Sequence, residues 1–121
     1  KKNNKITKII TIFGCGGDRD IWKRKKMGNV ASLLSDIIIL TDDNPRNEKS
    51  SIILDHIKKG IINKNELYII PSRKEAIFKA ISIARKDDVV VIAGKGNENG
   101  IIYGNKFVEH NDIKILKAKF K

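Results

Sequence analysis

Cysteine, proline and aromatic residues are all scarce in this chain of 121 residues, and each shortage excludes a class of protein. With Cys15 as the only cysteine, no internal disulfide can form and a metal site built from several thiolates is ruled out. Cys15 lies between two glycines, where a small residue suffices, and no histidine is near it in sequence to make it a catalytic thiol. Aromatic residues make up only 6% of the chain and are not interleaved with the basic ones, so there is no ladder on which bases could stack. No apolar run approaches the roughly 20 residues of a membrane helix, and no basic segment is followed by a continuous apolar stretch as in a signal peptide. The chain reads as cytosolic, and its length fits a single domain.

Positive charge, isoleucine and asparagine are abundant. The net charge is +11, with 20 Lys against 5 Arg, alongside 23 Ile and 11 Asn. This is the mixture expected of A- and T-rich codons, and the lysines are scattered, so genomic bias explains the charge better than a phosphate-binding surface does.

Residues 1–5 lack apolar content and read as a linker or frayed terminus, with the domain running over 6–121. Short apolar runs at 9–13, 37–40, 67–70 and 89–93 read as parallel strands, the first near-continuous in the pattern of a strand buried on both faces. Between them, helices are expected at about 23–34, 48–59 and 73–85. The first would turn Met27, Val30, Ala31 and Leu34 to the core, and the second Ile52, Ile53 and Ile57. Asn47 is a candidate cap for the second, and Ser72 with Glu75 forms a capping box for the third. Gly104-Asn105 predicts a hairpin between 101–103 and 106–108, followed by a last helix from Asn111 or Asp112 to about Phe120. The alternation predicts an α/β, Rossmann-like three-layer domain, with a mostly parallel sheet of about six strands and an antiparallel edge hairpin.

In that arrangement four polar loops, 14–20, 42–46, 71–73 and 94–98, lie at the carboxyl edge of the sheet, where open α/β folds bind ligands. The first is no dinucleotide fingerprint, because Arg19 stands at the third glycine position and Asp18 and Asp20 would repel a pyrophosphate. Gly94-Lys95-Gly96 is no phosphate loop either, since it lacks the Ser or Thr that coordinates magnesium. Arg19 and Arg46 offer planar forks for carboxylates, and Asp43 and Glu98 offer acceptors for an ammonium, equipment suited to an amino acid. The competing reading is purely local: Asp18, Arg19 and Asp20 pair among themselves, and Asp43-Asn44-Pro45 makes an Asx turn.

The ordered set 13–20, Lys23-Arg24, Met27, Ser35-Asp36, Thr41–Arg46 and Ala93–Glu98 resembles the C-terminal domain of the Mur ligases over nearly the whole chain from Ile6. Within that family the Asp-Asn-Pro-Arg run at 43–46 is similar to that of the members adding meso-diaminopimelate. The resemblance implies ATP-dependent amide formation on UDP-MurNAc-L-Ala-D-Glu in peptidoglycan synthesis, through an acyl phosphate attacked by the diaminopimelate amine. It further implies amino-acid contacts from Arg19, Asp43, Asn44, Pro45, Arg46, Gly94 and Glu98, with Arg46 on the second carboxylate that distinguishes meso-diaminopimelate from lysine. ATP and Mg2+ would be held mainly by a central domain, UDP-MurNAc-dipeptide by other domains, with no role for a membrane or nucleic acid. Asn97 replaces the family's usual histidine, a glutamine is missing within 99–102, and Trp22 and Lys25 stand in place of Gly and Pro. No N-terminal or central domain is encoded, so the chain is expected to be inactive alone, as an excised domain, a split-gene product or a remnant. The alternative is a non-enzymatic Rossmann-like module that binds a small zwitterion or nucleic acid.

Overall fold

A computed structural model of the protein describes residues 7–18, 20–63, 65–95 and 98–119. Strands and helices alternate as β1 (Ile9–Phe13), α1 (Ile21–Leu34), β2 (Ile37–Leu40), α2 (Ser50–Lys58), β3 (Glu66–Ile69), α3 (Arg73–Ile83) and β4 (Val89–Ile92). The hairpin β5 (Gly100–Tyr103) and β6 (Lys106–Glu109) and the helix α4 (Asp112–Lys119) complete the fold. β1 to β4 form a parallel sheet in the order β3-β2-β1-β4. Among the described residues, no helix is long and apolar enough to cross a membrane.

Three layers follow from the pleat. Because successive side chains of a strand point to opposite faces, β2 sends Ile38 and Leu40 to one side and Ile37 and Ile39 to the other. The first pair packs with Phe13 against Ile53, Leu54 and Ile57 of α2 and Ala31 of α1. The second joins Ile10 and Ile12 under Ala76, Ile77 and Ala80 of α3, with Ile115 and Leu116 of α4 at the margin. All four residues of β2 are buried, as a central parallel strand requires.

Three expectations are corrected. Among the described residues the sheet has four strands, not six, and the hairpin forms a separate antiparallel pair. Its outer edge is taken up by the loop after β2, since Arg46 N–H donates to Ile102 O and Ile102 N–H donates to Asn44 Oδ1. Second, Asn47 does not cap α2: that helix starts at Ser50 after Lys49, and the Asn47 amide instead donates to Asp18 Oδ2. Ser72 does cap α3, accepting from the Glu75 N–H at 3.3 Å.

Third, most of the apolar stripe of α1 faces outward. Ala31 is buried, but Val30 and Leu34 are 55% and 65% exposed, and Ile52 on α2 likewise points out. The cause is the α1–α2 contact. Gly28 sits so close to α2 that a Cβ there would lie 2.0 Å from Ile57 O, so the face around Gly28 and Ala31 is the one α1 buries.

Candidate functional site

Parallel strands put the loops after β1, β2, β3 and β4 at one edge, and backbone contacts weld them together. Gly17 N–H donates to Asn44 O at 2.7 Å, while Asp42 N–H and the Thr41 hydroxyl both donate to Pro71 O. At Gly17 any side chain would collide with the loop after β2, since a Cβ would fall 1.7 Å from Pro45 O. Gly14, where a Cβ would fall 2.0 Å from Thr41 O, and Gly17 therefore serve close packing between loops.

Two buried arginines hold this edge from beneath. Arg24, on α1 and 1% exposed, reaches Glu48 through both terminal nitrogens, at 3.0 and 2.7 Å, and donates to Gly16 O. Glu48 also accepts from the Asp18 N–H, so one carboxylate ties α1 and the first loop to the segment following Arg46. The hydrogen bonds from Arg24 hold the Glu48 carboxyl down to about 2, from an ordinary value of 4.5. A carboxyl depressed by folding stabilises the native state above its unfolded value, and that contribution disappears as pH falls through the folded one. Between pH 6 and 2.5 the melting temperature of the native chain should therefore fall toward that of Glu48→Gln, with most of the convergence below about pH 4.5. Parallel melting curves across that range would show that the pair contributes nothing.

Arg73, at the start of α3, is the second. It donates to Asp42 O at 3.1 Å, to Ala93 O at 3.0 Å and, through Nε and Nη2, to both oxygens of Asp112, each at 2.9 Å. His110 hydrogen-bonds the same carboxylate. Burial pushes the Asp112 carboxyl up, but its bonds to Arg73 and His110 prevail and leave it below its ordinary value.

Above these supports lie the residues expected to bind a ligand. Arg46 has left-handed backbone (φ 54°), a conformation that costs a non-glycine residue energy and is held here from outside. Its N–H donates to Ile102 O, its carbonyl accepts from Gly104 N–H, and Tyr103 of the hairpin donates to the buried Asp42 carboxylate at 2.8 Å. Burial raises the Asp42 carboxyl. Among the described residues, the hydrogen bonds of the Arg46 guanidinium all leave from Nη1, to Gly17 O at 3.1 Å and Asn44 O at 3.4 Å.

Asp43, Asn44, Gly94 and Glu98 are also brought together, around Lys95, which the sequence alone offers only as a lysine of a phosphate loop. Lys95 is fully buried at its side chain, and its Nζ lies 3.0 Å from Asp43 Oδ1, 3.2 Å from Glu98 Oε1 and 3.0 Å from Asn44 Oδ1. The ammonium that these acceptors hold in this structure is the chain's own. Gly94 adopts φ 110° against the Asp43 carboxylate, leaving room where a side chain would press on Oδ2 at 3.2 Å. Pro45 is buried in the wall that Gly17 touches. Arg19 and Asn97 lie outside the described residues. The one signal that could have found Lys95 was Glu98 three residues on, in the loop that leaves the apolar run 89–93.

Cys15 is buried, and its thiol donates to Met27 Sδ. Burial pushes the thiol up to about 11, so it stays protonated near neutral pH and is no nucleophile.

Comparison with known proteins bears on the family and the fold. The family model described as "Mur ligase, glutamate ligase domain" matches residues 1–96. The chain is 48% identical over 110 residues to the UDP-N-acetylmuramoyl-L-alanyl-D-glutamate--2,6-diaminopimelate ligase of Clostridium tetani, covering 91% of this chain and 22% of that enzyme. It is 50% identical over 110 residues to the ligase of the same name from Buchnera aphidicola subsp. Baizongia pistaciae, and 46% identical over 113 residues to the UDP-N-acetylmuramyl-tripeptide synthetase of Borreliella afzelii, again covering 91% of this chain and 22% of each relative. A solved structure of a UDP-N-acetylmuramoyl-L-alanyl-D-glutamate--2,6-diaminopimelate ligase superposes with a TM-score of 0.87 at 36% identity, covering 93% of this chain and 23% of that one. The chain thus spans between a fifth and a quarter of the length of the relatives it matches. By its loops, its fold and these similarities, the chain belongs to the Mur ligase family and is that family's C-terminal domain.

Proposed function

We propose that this domain binds and orients the amino acid in an ATP-dependent, amide-forming ligase that adds meso-diaminopimelate to UDP-MurNAc-L-Ala-D-Glu, in the cytoplasm. The observation that carries this reading is the placement of Arg46. Its guanidinium is anchored by one nitrogen on two loop carbonyls, so its planar fork is oriented before any ligand arrives. A fixed fork suits a carboxylate bound through two parallel hydrogen bonds, and the second carboxylate of meso-diaminopimelate is the group that lysine lacks. Asp43, Asn44, Gly94 and Glu98 form the adjoining wall, Pro45 shapes the turn, and Arg19 belongs to the same set by its place in the first loop.

The residues present do not fit a triphosphate cradle. Lys95 is buried among Asp43, Asn44 and Glu98 rather than presented to a phosphate. ATP and Mg2+ are therefore assigned to the rest of the ligase, and this chain's part is to position the amine. Correct positioning alone is worth several orders of magnitude in rate.

The test is a nuclear magnetic resonance titration of the 121-residue chain with meso-diaminopimelate and, separately, L-lysine. The diacid should shift the amide signals of 43–46, 94 and 98 at concentrations where lysine leaves them in place. Equal shifts from both amino acids, or shifts elsewhere only, would contradict the reading.

A further inference from the structure

Asn44 carries two cations, not one. Its main-chain carbonyl accepts from Arg46 Nη1 at 3.4 Å, and its side-chain oxygen accepts from Lys95 Nζ at 3.0 Å. The same side-chain oxygen accepts from Ile102 N–H at 2.9 Å, so two donors from different loops fix the carboxamide. Lys95 has no exposed side-chain surface with which to touch a ligand. It therefore acts on one only through its charge and through the acceptors it holds.

Those acceptors face outward. The Asp43 side chain is 19% exposed and that of Glu98 55%, while each keeps one oxygen on the buried ammonium, at 3.0 and 3.2 Å. Without Lys95 the two carboxylates would present two uncompensated negative charges; with it they present one. Arg46 supplies a second positive charge beside them, and the four residues together balance. The charged groups beneath this wall are satisfied among themselves: Arg24 pairs with Glu48, Arg73 with Asp112, and Asp42 accepts from the Tyr103 hydroxyl.

That balance matters for the two amino acids the site must tell apart. Near neutral pH meso-diaminopimelate has as many carboxylates as ammonium groups and no net charge, whereas L-lysine lacks one carboxylate and is a net cation. A balanced wall gives the cation no advantage, but a wall one charge more negative draws it in. Specificity is a difference of two affinities, so denying the wrong ligand an advantage serves as well as holding the right one.

We propose that Lys95 is a specificity-determining residue that works without contact: its buried ammonium cancels one carboxylate of the wall, so that the cationic lysine is not favoured over the diacid. Arg46 attracts the second carboxylate, and Lys95 removes the electrostatic gain that lacking this carboxylate would bring. The inference rests on the reading of 43–46, 94 and 98 as the amino-acid wall.

The test is the ratio of the dissociation constants for L-lysine and meso-diaminopimelate, measured by nuclear magnetic resonance titration of the 121-residue chain and its variants at low ionic strength, where screening is least. Lys95→Met fills much the same space without the charge. It should reduce the preference for the diacid about tenfold, and added salt should return part of that preference. Lys95→Ala, which leaves a vacancy between Asp43 and Glu98, should show the same loss, reversed by propylammonium and not by propanol. This second variant decides the matter if Lys95→Met does not fold. A preference in Lys95→Met equal to that of the native chain, whether both amino acids bind as before or both weaken together, would overturn the proposal, as would equal rescue of Lys95→Ala by propanol. A native chain that binds the two amino acids alike would overturn the underlying reading of the wall, and this proposal with it.

Discussion

Asp112→Ala should lower the melting temperature by about 12–20 °C, the largest stability effect expected of any single substitution in this chain. The substitution leaves the Arg73 guanidinium, with no side-chain exposure, facing no carboxylate, and strands His110 as well. Removing one partner of a buried ion pair costs about 3–5 kcal/mol, and for a domain of this size each kcal/mol is worth roughly 4 °C. The damage also reaches the ligand edge, because Arg73 clamps the carbonyls of Asp42 and Ala93 and so joins the ends of β2 and β4. Replacing both partners with apolar residues, as in Arg73→Met with Asp112→Leu, should recover much of the stability, because no buried charge is then left unpaired. It should not recover the loop geometry. Calorimetric unfolding of the single and double variants checks this: a single variant that melts within about 3 °C of the native chain would mean the pair is structurally idle.

Arg46→Ala should weaken binding of meso-diaminopimelate by about 30-fold, equivalent to about 2 kcal/mol for a charge-assisted pair at a half-exposed site, and should leave L-lysine binding nearly unchanged. The asymmetry is the informative part. A general collapse of the site would weaken both amino acids, whereas loss of one carboxylate contact affects only the diacid. Arg46→Lys keeps the charge but not the fork, and should recover little of the discrimination. Because Arg46 sits at φ 54° and is fixed there through its backbone by Ile102 and Gly104, replacing its side chain leaves the hairpin docked.

The elements legible in the sequence were those whose signal is local. β2 is buried on both faces and so reads as an uninterrupted apolar run, Ser72 and Glu75 lie one turn apart, and Gly104-Asn105 occupies a turn between two short strands. What could not be read depended on partners distant in the chain. The supports beneath the site pair Arg24 with Glu48 and Arg73 with Asp112, 24 and 39 residues apart, and no periodicity announces such pairs. Lys95 reads in sequence only as a lysine of a rejected phosphate loop, and it is the fold that places Asp43 and Asn44 around it. The stripe on α1 was read correctly as apolar and wrongly as core-facing. Periodicity shows that a face is hydrophobic, and only topology shows what lies against it.

The most direct test of the central claim replaces the matched region of the Clostridium tetani ligase with this chain and supplies the resulting enzyme with equal meso-diaminopimelate and L-lysine. Amide formation predominantly with meso-diaminopimelate, lost when Arg46 is replaced by Ala, is the predicted result. Equal use of the two amino acids, or a preference for the diacid that survives Arg46→Ala, would contradict the assignment of these loops as a diaminopimelate site.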